Sequence, residues 1–401
     1  MQNNKNKTIG VMFGGQSPEH EISIISGELV ISELKKKKID VIPIYITKGG
    51  RWVINNDIGQ LKFFAREISE IKNKLNAGLE YLLDINQSVK LGKLVLKEKK
   101  SLLAKNIVID TVFPVFHGQN GEDGTIQGLL EFLNIVYIGN GVSASAVTMD
   151  KALTLNLIRG EDLPTVKFIV LQKDEKHTID DYSREVFAKL QTPFFVKPAR
   201  LGSSIGIAKA NNEEELRQAI EVAFSYDHKI VVEEAVENLK DLTCAVRERK
   251  DGKLQASLVQ ESVFSGDFFN YNDKYIEEGG AQLGKNDKKL VIPADIDKNT
   301  AEEIQNLSKK VFKIFDCSGM IRVDFLYDTQ QKKIYVGEVN TIPGTLYHHL
   351  WEASGVPLGD VIDDLIKVSK MKYESRIKID SELNMEILNN ANSLKLQHGK
   401  K

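Results

Sequence analysis

The sequence predicts a mixed α/β and α+β protein of three domains, the first a Rossmann-like parallel sheet, and three observations lead there. At 401 residues the chain exceeds the roughly 250 to 300 residues over which a single core keeps growing. It opens with the order strand, helix, strand from which parallel sheets are wound. Beyond residue 140 that alternation gives way to short strands and helices in an α+β order.

In the first domain, residues 1–139, "KTIGVMFGG" reads as a strand running into a turn. The next stretch, "SPEHEISIISGELVISELKKKK", reads as a helix with Ser17 as N-cap and Pro18 at the first helical position. "VIPIYI" is the following strand. Residues 55–106 are polar, lysine-rich and weakly helical, and read as an insertion that carries no motif. The core pattern resumes in "IVIDTVFPVFHGQNGEDGTIQGLLEFLNIVYIG", with a strand, a glycine-rich loop, a helix opening near Glu122 and Asp123, and a short strand.

Residues 140–236 form the second domain. Its elements are the helix "SASAVTMDKALTLNLI", the strands "TVKFIVL", "FFVKPA", "IGIAKA" and "KIVVEEAV", and the helix "NEEELRQAIEVAFS". The third domain, residues 237–370, has strand-like segments around "LTCAVRERKDGKLQASLVQ" and a loop-rich stretch from Phe264 to Gly284. There follow the helix "NTAEEIQNLSKKVFKIF", a hairpin from Ile321 to Asn340 and a final helix near Leu358 to Lys367. Residues 371–401 read as a polar tail, and no internal repeat is visible.

Composition narrows the function. Hydrophobic residues make up 42%, charged residues 27%, and the net charge is -2, a balance that gives no footprint for nucleic acid. The basic run Lys35 to Lys38 closes an apolar-periodic helix, where lysines complement the negative end of the helix dipole. The apolar patch near the start is too short for a signal-peptide core, and no window reaches the roughly 18 to 20 apolar residues of a membrane span. Cys244 and Cys317 form neither a disulfide framework nor a thiolate zinc pattern, so a reduced, cytoplasmic setting without membrane or nucleic-acid partners is expected.

The P-loop spacing is absent. A GxGxxA occurs at "GNGVSA", Gly139 to Ala144, but Glu161 and Asp162 precede the next strand instead of ending it, which favours a packing turn over a dinucleotide site. In "FFVKPARLGSSIG", Lys197 closes a strand before a Gly/Ser turn that could aim N–H groups and hydroxyls at phosphate; the alternative is an ordinary hairpin with one exposed lysine.

The hairpin "MIRVDFLYDTQQKKIYVGEVN" shifts the balance. With a turn centred near Gln331, Arg322 faces Asn340 and Asp324 faces Glu338, all on one face of the sheet. Paired carboxylates repel and need a cation, and an all-oxygen set suits magnesium shared with nucleotide phosphates. The alternative is a solvated face of cross-strand ion pairs.

These residues resemble the D-alanine:D-alanine ligases of the ATP-grasp superfamily. The matches, in the family's order, are "FGGQSPEHEIS", "HGQNGEDGTIQGLLE", "MDK", "VKPARLGSSIG", "YNDKY", "IRVDF" and "EVNTIPG", covering residues 8 to 367. The resemblance implies a three-domain ATP-grasp ligase in which Lys151 and Lys197 hold ATP phosphates, and Glu233 and Asp241 lie near adenine and ribose. It puts Lys274 on the γ-phosphate, from the loop Phe264 to Gly284, and two magnesium ions, replaceable by manganese, on Asp324, Glu338 and Asn340. Glu19 would take the ammonium of the first D-alanine with His117 nearby, Ser203 and Tyr275 would join Glu19 in a hydrogen-bonded set, and Arg322 with the Gly344 N–H would form the oxyanion site. The family is usually dimeric, so a homodimer acting on small amino acids is implied.

The match departs after Gly344, where "TLYHHLWEASG" is about four residues shorter than in many members and puts His349 near an expected serine that receives the acceptor's carboxylate. A protonated His348 or His349 could pair with that carboxylate; a neutral one donates a single hydrogen bond. Otherwise one histidine is surface and the other packs beside Trp351. Tyr275 favours an amine acceptor over a hydroxy acid, by the family's pattern. The expected activity is ATP-dependent formation of D-alanyl-D-alanine for a bacterial cell wall. A paralogous ligase with another acceptor, a non-catalytic nucleotide-binding protein and a biotin-carboxylase-like enzyme are the alternatives.

Overall fold

A computed structural model of the chain describes residues 7–55, 57–64, 79–99, 106–263 and 289–382. The first sheet comprises β1 (Ile9–Gly14), β2 (Val41–Ile46), β3 (Trp52–Ile54), β4 (Leu79–Leu83), β5 (Leu94–Glu98), β6 (Ile107–Ile109), β7 (Thr111–Pro114) and β8 (Val136–Tyr137). Their order is β6-β5-β4-β3-β2-β1-β7-β8. β1 runs parallel to β2 and β7, and β7 to β8, while β2 through β6 pair antiparallel. All six residues of β1 are buried, as expected of a strand covered on both faces.

Among the described residues of 55–106, two short helices are present, Leu61–Phe64 and Ile85–Leu91, but β4 and β5 also extend the first sheet, which the polar composition did not suggest. The first helix also starts later than its sequence suggests, at His20. Ser17 and Pro18 lie in a turn before it, where the Ser17 hydroxyl accepts from the Glu19 N–H at 3.1 Å.

The second sheet is antiparallel, with β9 (Phe168–Gln172), β10 (Phe194–Pro198), β11 (Ala208–Ala210) and β12 (Lys229–Glu234) in the order β11-β10-β12-β9. The helix expected over "SASAVTMDKALTLNLI" breaks in two, Val142–Met149 and Lys151–Gly160, because Asp150 is extended and its carboxylate caps Ala152 and Leu153. The third sheet, also antiparallel, has β13 (Leu239–Glu248), β14 (Leu254–Val263), β15 (Lys289–Val291), β16 (Met320–Asp328) and β17 (Lys333–Asn340) in the order β15-β14-β13-β16-β17.

The last helix runs Leu358–Glu382, so the stretch read as a polar tail begins as helix. Its apolar residues Val361, Ile362 and Leu365 share a core with Val11 and Phe13 of β1 and with Tyr347, Leu350 and Trp351. The segment after β17 is therefore packed onto the first sheet. A buried ion pair, Arg247 to Asp364 at 2.8 Å, ties the same helix to β13.

Candidate active site

β16 and β17 set the site's register through a bulge. Near the turn Asp328 pairs with Lys333 and Phe325 with Val336, which centres the turn between residues 330 and 331. Continued without interruption, that register would turn Glu338 and Asn340 away from Asp324 and Arg322, because a one-residue slip swaps faces. The register instead shifts between Asp324 and Phe325, so that Asp324 faces Glu338 and Arg322 faces Asn340. Burial records the switch: Ile334 and Val336 point into the core before the bulge and Val339 after it.

Asp324 is held from three sides. Arg322 donates to it at 2.8 Å, the Asn340 amide at 3.2 Å and the Thr243 hydroxyl of β13 at 3.0 Å. Asn340's own oxygen is not engaged in that contact and stays available as an acceptor. Glu338 accepts from Lys151 at 3.1 Å, and Lys151 also donates to the Leu201 carbonyl at 2.7 Å.

Two clefts meet at that Lys151–Glu338 pair. One, about 880 Å³ and open to solvent, is lined by Lys151, Lys197, Glu233, Asp241, Asp324 and Glu338 among others. Lys197 on β10 pairs with Glu233 on β12 at 2.6 Å. Apolar walls from Phe195, Ile207 and Leu326 make it suitable for a flat heterocycle beside a charged tail. The other, about 470 Å³, is lined by Glu19, Glu122, Lys151, Ser203, Arg322, Glu338 and Asn340 among others.

Glu19 ends the turn before the first helix, and Ser203 donates to its carboxylate. Gly118, at φ +72°, lies so close that a Cβ would collide with the Glu19 carboxylate, so only glycine fits there. Ser203 and Ser204 are both left-handed, at φ 61° and 56°, which is uncommon outside glycine and turns the Gly/Ser segment towards Glu19 instead of into a plain hairpin.

Glu122, which sequence reasoning left as a helix start, lines the second cleft. The helix itself opens at Thr125. The Glu122 carboxyl accepts from the N–H of Gly118 at 2.7 Å and of Ile342 at 3.3 Å. Burial, and then the nearby Glu19 charge, push its pKa well above the usual carboxylate range.

His117 does not line either cleft's wall as described above; both its ring nitrogens are engaged inside the fold. Nε2 lies 2.9 Å from the Ser26 hydroxyl, and the other ring nitrogen donates to the Ile342 backbone carbonyl. Ser26 in turn accepts from the Thr345 N–H at 2.9 Å. Burial holds the His117 pKa down to about 4, so the ring is neutral and bridges Ser26 to the turn that contains Gly344.

After Gly344 the chain passes through three left-handed residues, Thr345, Leu346 and Tyr347, at φ 48°, 53° and 51°. Such conformations cost L-residues on the order of 1 to 2 kcal/mol each, and here burial of all three side chains offsets the cost. His349 Nε2 lies 2.7 Å from Gln260 Oε1, and its ring is 4.9 Å from that of Tyr347. Its pKa is lowered to about 4, first by burial and then by His348 and Arg322. At neutral pH it is uncharged, with its N–H given to Gln260, so charge pairing with a carboxylate is not open to it in this arrangement. His348 sits with Nδ1 3.3 Å from the Thr345 carbonyl. Lys274, Tyr275 and the loop Phe264 to Gly284 lie outside the described residues.

Comparison with known proteins covers nearly the whole chain. Residues 8–140 match the family model for the D-ala D-ala ligase N-terminus, and residues 157–367 match that for its C-terminus. A D-alanine--D-alanine ligase of Thermosipho africanus is 40% identical over 379 residues, covering 94% of this chain and 97% of the relative. One from Caldicellulosiruptor bescii is 40% identical over 381 residues, covering 93% and 98%. Among solved structures, the D-alanine-D-alanine ligase from Coxiella burnetii aligns with a TM-score of 0.77 at 29% identity, covering 94% of this chain and 97% of that one. The VanG D-Ala:D-Ser ligase from Enterococcus faecalis aligns at 0.75 and 32% identity, covering 91% and 100%.

Proposed function

The chain belongs to the D-alanine:D-alanine ligase family, and from that premise we propose that it joins two D-alanines, with ATP as the source of activation. The observation that carries this reading is the meeting of the two clefts at Lys151 and Glu338, a junction at which a nucleotide's terminal phosphate in one cleft would adjoin a substrate carboxylate near Arg322 in the other.

A carboxylate is a poor acylating agent because its oxygen is a poor leaving group. Attack of that oxygen on the γ-phosphorus expels ADP and gives an acyl phosphate; the amine of a second D-alanine then attacks the acyl carbon and phosphate leaves. Glu19 takes the ammonium of the first substrate, and Ser203 fixes the carboxylate that does so. Lys151 and Lys197 supply positive charge to the phosphates. Arg322 and the Gly344 N–H stabilise the tetrahedral oxyanion, a contribution typically worth about 2.7 to 4 kcal/mol per donor. On the resemblance, Lys274 is assigned to the γ-phosphate and Tyr275 to the hydrogen-bonded set of Glu19 and Ser203.

Magnesium fits the donor set of Asp324, Glu338 and the Asn340 oxygen, and when bound it would neutralise the transferring phosphoryl group. Among the described residues no three acids, histidines or cysteines converge to hold an ion unaided. Two carboxylates completed by phosphate oxygens are the usual magnesium arrangement in nucleotide sites. We extend the reading, on the resemblance, to a cytoplasmic homodimer of three domains; no described helix is long and apolar enough to cross a membrane.

The test is phosphate release with ATP and magnesium across single amino acids, D-serine and D-lactate, with products identified by mass. D-alanine alone should yield the dipeptide. Turnover that requires a different second substrate would overturn the acceptor assignment. Glu338→Gln should abolish turnover, and an unaffected rate would refute its metal role.

A further inference from the structure

The "GNGVSA" turn, which resembles a dinucleotide fingerprint without its acid, has another use. Its Asn140 is 2% exposed, and its side chain makes three hydrogen bonds, all to backbone of the third sheet's hairpin region. The amide nitrogen donates to the Met320 carbonyl at 2.8 Å and to the Thr341 carbonyl at 3.0 Å, while the amide oxygen accepts from the Ser318 N–H at 2.8 Å. Met320 opens β16 and Thr341 follows β17, so one NH₂ group bridges both strands at the open end of the hairpin.

That is the point where the β16–β17 ladder runs out. Its last pair is Arg322 with Asn340, and beyond it the backbone groups must find other partners. Asn140 supplies them to both strands at once, two residues from Arg322 and one from Asn340. Close packing supports the contact: a Cβ on Gly319 would lie 3.7 Å from the Gly139 Cα.

We propose that Asn140 is a positioning residue for the ligation step: by fixing the spacing of β16 and β17 at their open end, it sets the separation of Arg322 from Asn340 and from the turn that carries Gly344. The inference rests on the ligase reading above. Neither Asn140 nor any of its three partners lines the nucleotide cleft, whereas Thr341 lines the substrate cleft.

The experiment compares wild type with Asn140→Ala and Asn140→Ser, reading thermal unfolding, ATP affinity, and kcat and KM for D-alanine per nucleotide-binding site. Asn140→Ala is expected to lower kcat about 10- to 100-fold, the range that small misplacements of reacting groups produce, with ATP affinity unchanged. Asn140→Ser, which keeps one donor, should fall between. A kcat per nucleotide site equal to wild type would overturn the proposal, as would ATP affinity falling in step with kcat. Failure of both variants to fold would assign Asn140 to folding alone and overturn it too. Wild type that binds ATP without turning over D-alanine would refute the ligase reading instead.

Discussion

His117→Gln tests how the site's turn is held. In the fold, His117 accepts from Ser26 and donates to the Ile342 carbonyl, which requires the neutral ring. Glutamine offers one acceptor and one donor as well, so the bridge can survive while the titration is removed. The folded ring takes up a proton only near pH 4, whereas in the unfolded chain it does so near 6.5. Between those values the unfolded state binds more protons, so the stability this ring contributes is present above pH 6.5 and is lost as the pH falls. From pH 7 to pH 5 the loss works out at about 2 kcal/mol. Glu122, whose carboxyl is shifted upward, works in the opposite direction over the same range. Its shift arises from burial, Glu19, the Gly118 and Ile342 N–H groups and Arg322, and a glutamine that keeps the bridge to Ile342 leaves these in place. Urea unfolding of both proteins at pH 7 and pH 5 therefore isolates His117: wild type should lose about 2 kcal/mol more than the variant. Parallel losses, or a smaller loss in wild type, would refute a neutral, doubly engaged ring.

Three further outcomes follow from the site. Arg322→Met should reduce kcat by about 10²- to 10³-fold, the cost of one lost oxyanion donor, while equilibrium dialysis finds ATP still bound. Trp351→Ala empties a fully buried position shared with β1 and the last helix, and calorimetry should show a loss of about 3 to 5 kcal/mol. Gln260→Met leaves the half-buried His349 N–H without its acceptor, and calorimetry should show a loss of about 1 to 3 kcal/mol.

The hairpin face was legible in the sequence, though for a reason that needed the structure. A turn centred at Gln331 gives the observed pairing, but the turn itself sits half a residue earlier and the bulge opposite Asp324 makes up the difference. Gly337, the single glycine of β17, was the available signal, since an isolated glycine in a strand often marks a bulge. Lys151, Lys197, Glu233, Asp241, Asp324 and Glu338 line one cleft although the sequence separates them by up to 187 positions; their motifs, not their spacing, pointed there.

What stayed hidden was the support for the turn after β17. Asn140 reaches Thr341 across 201 positions, Glu122 reaches Ile342 across 220, and Ser26 reaches Thr345 across 319. Local pattern carries no information about such contacts, and Glu122 in particular looked like any acid at a helix start. The sheet extension from β3 to β5 was missed because its strands lack alternation: Leu82 is half exposed between intermediate and buried neighbours, so neither a period of two nor a helical period stands out.

The most direct test of the account follows oxygen. D-alanine labelled with ¹⁸O in its carboxylate is incubated with the enzyme, ATP and magnesium, and the released phosphate and the dipeptide are analysed by mass. An acyl phosphate formed on the first substrate's carboxylate predicts one ¹⁸O in each phosphate released with a dipeptide. Dipeptide accompanied by unlabelled phosphate, or labelled substrate recovered intact while ATP is consumed, would contradict it.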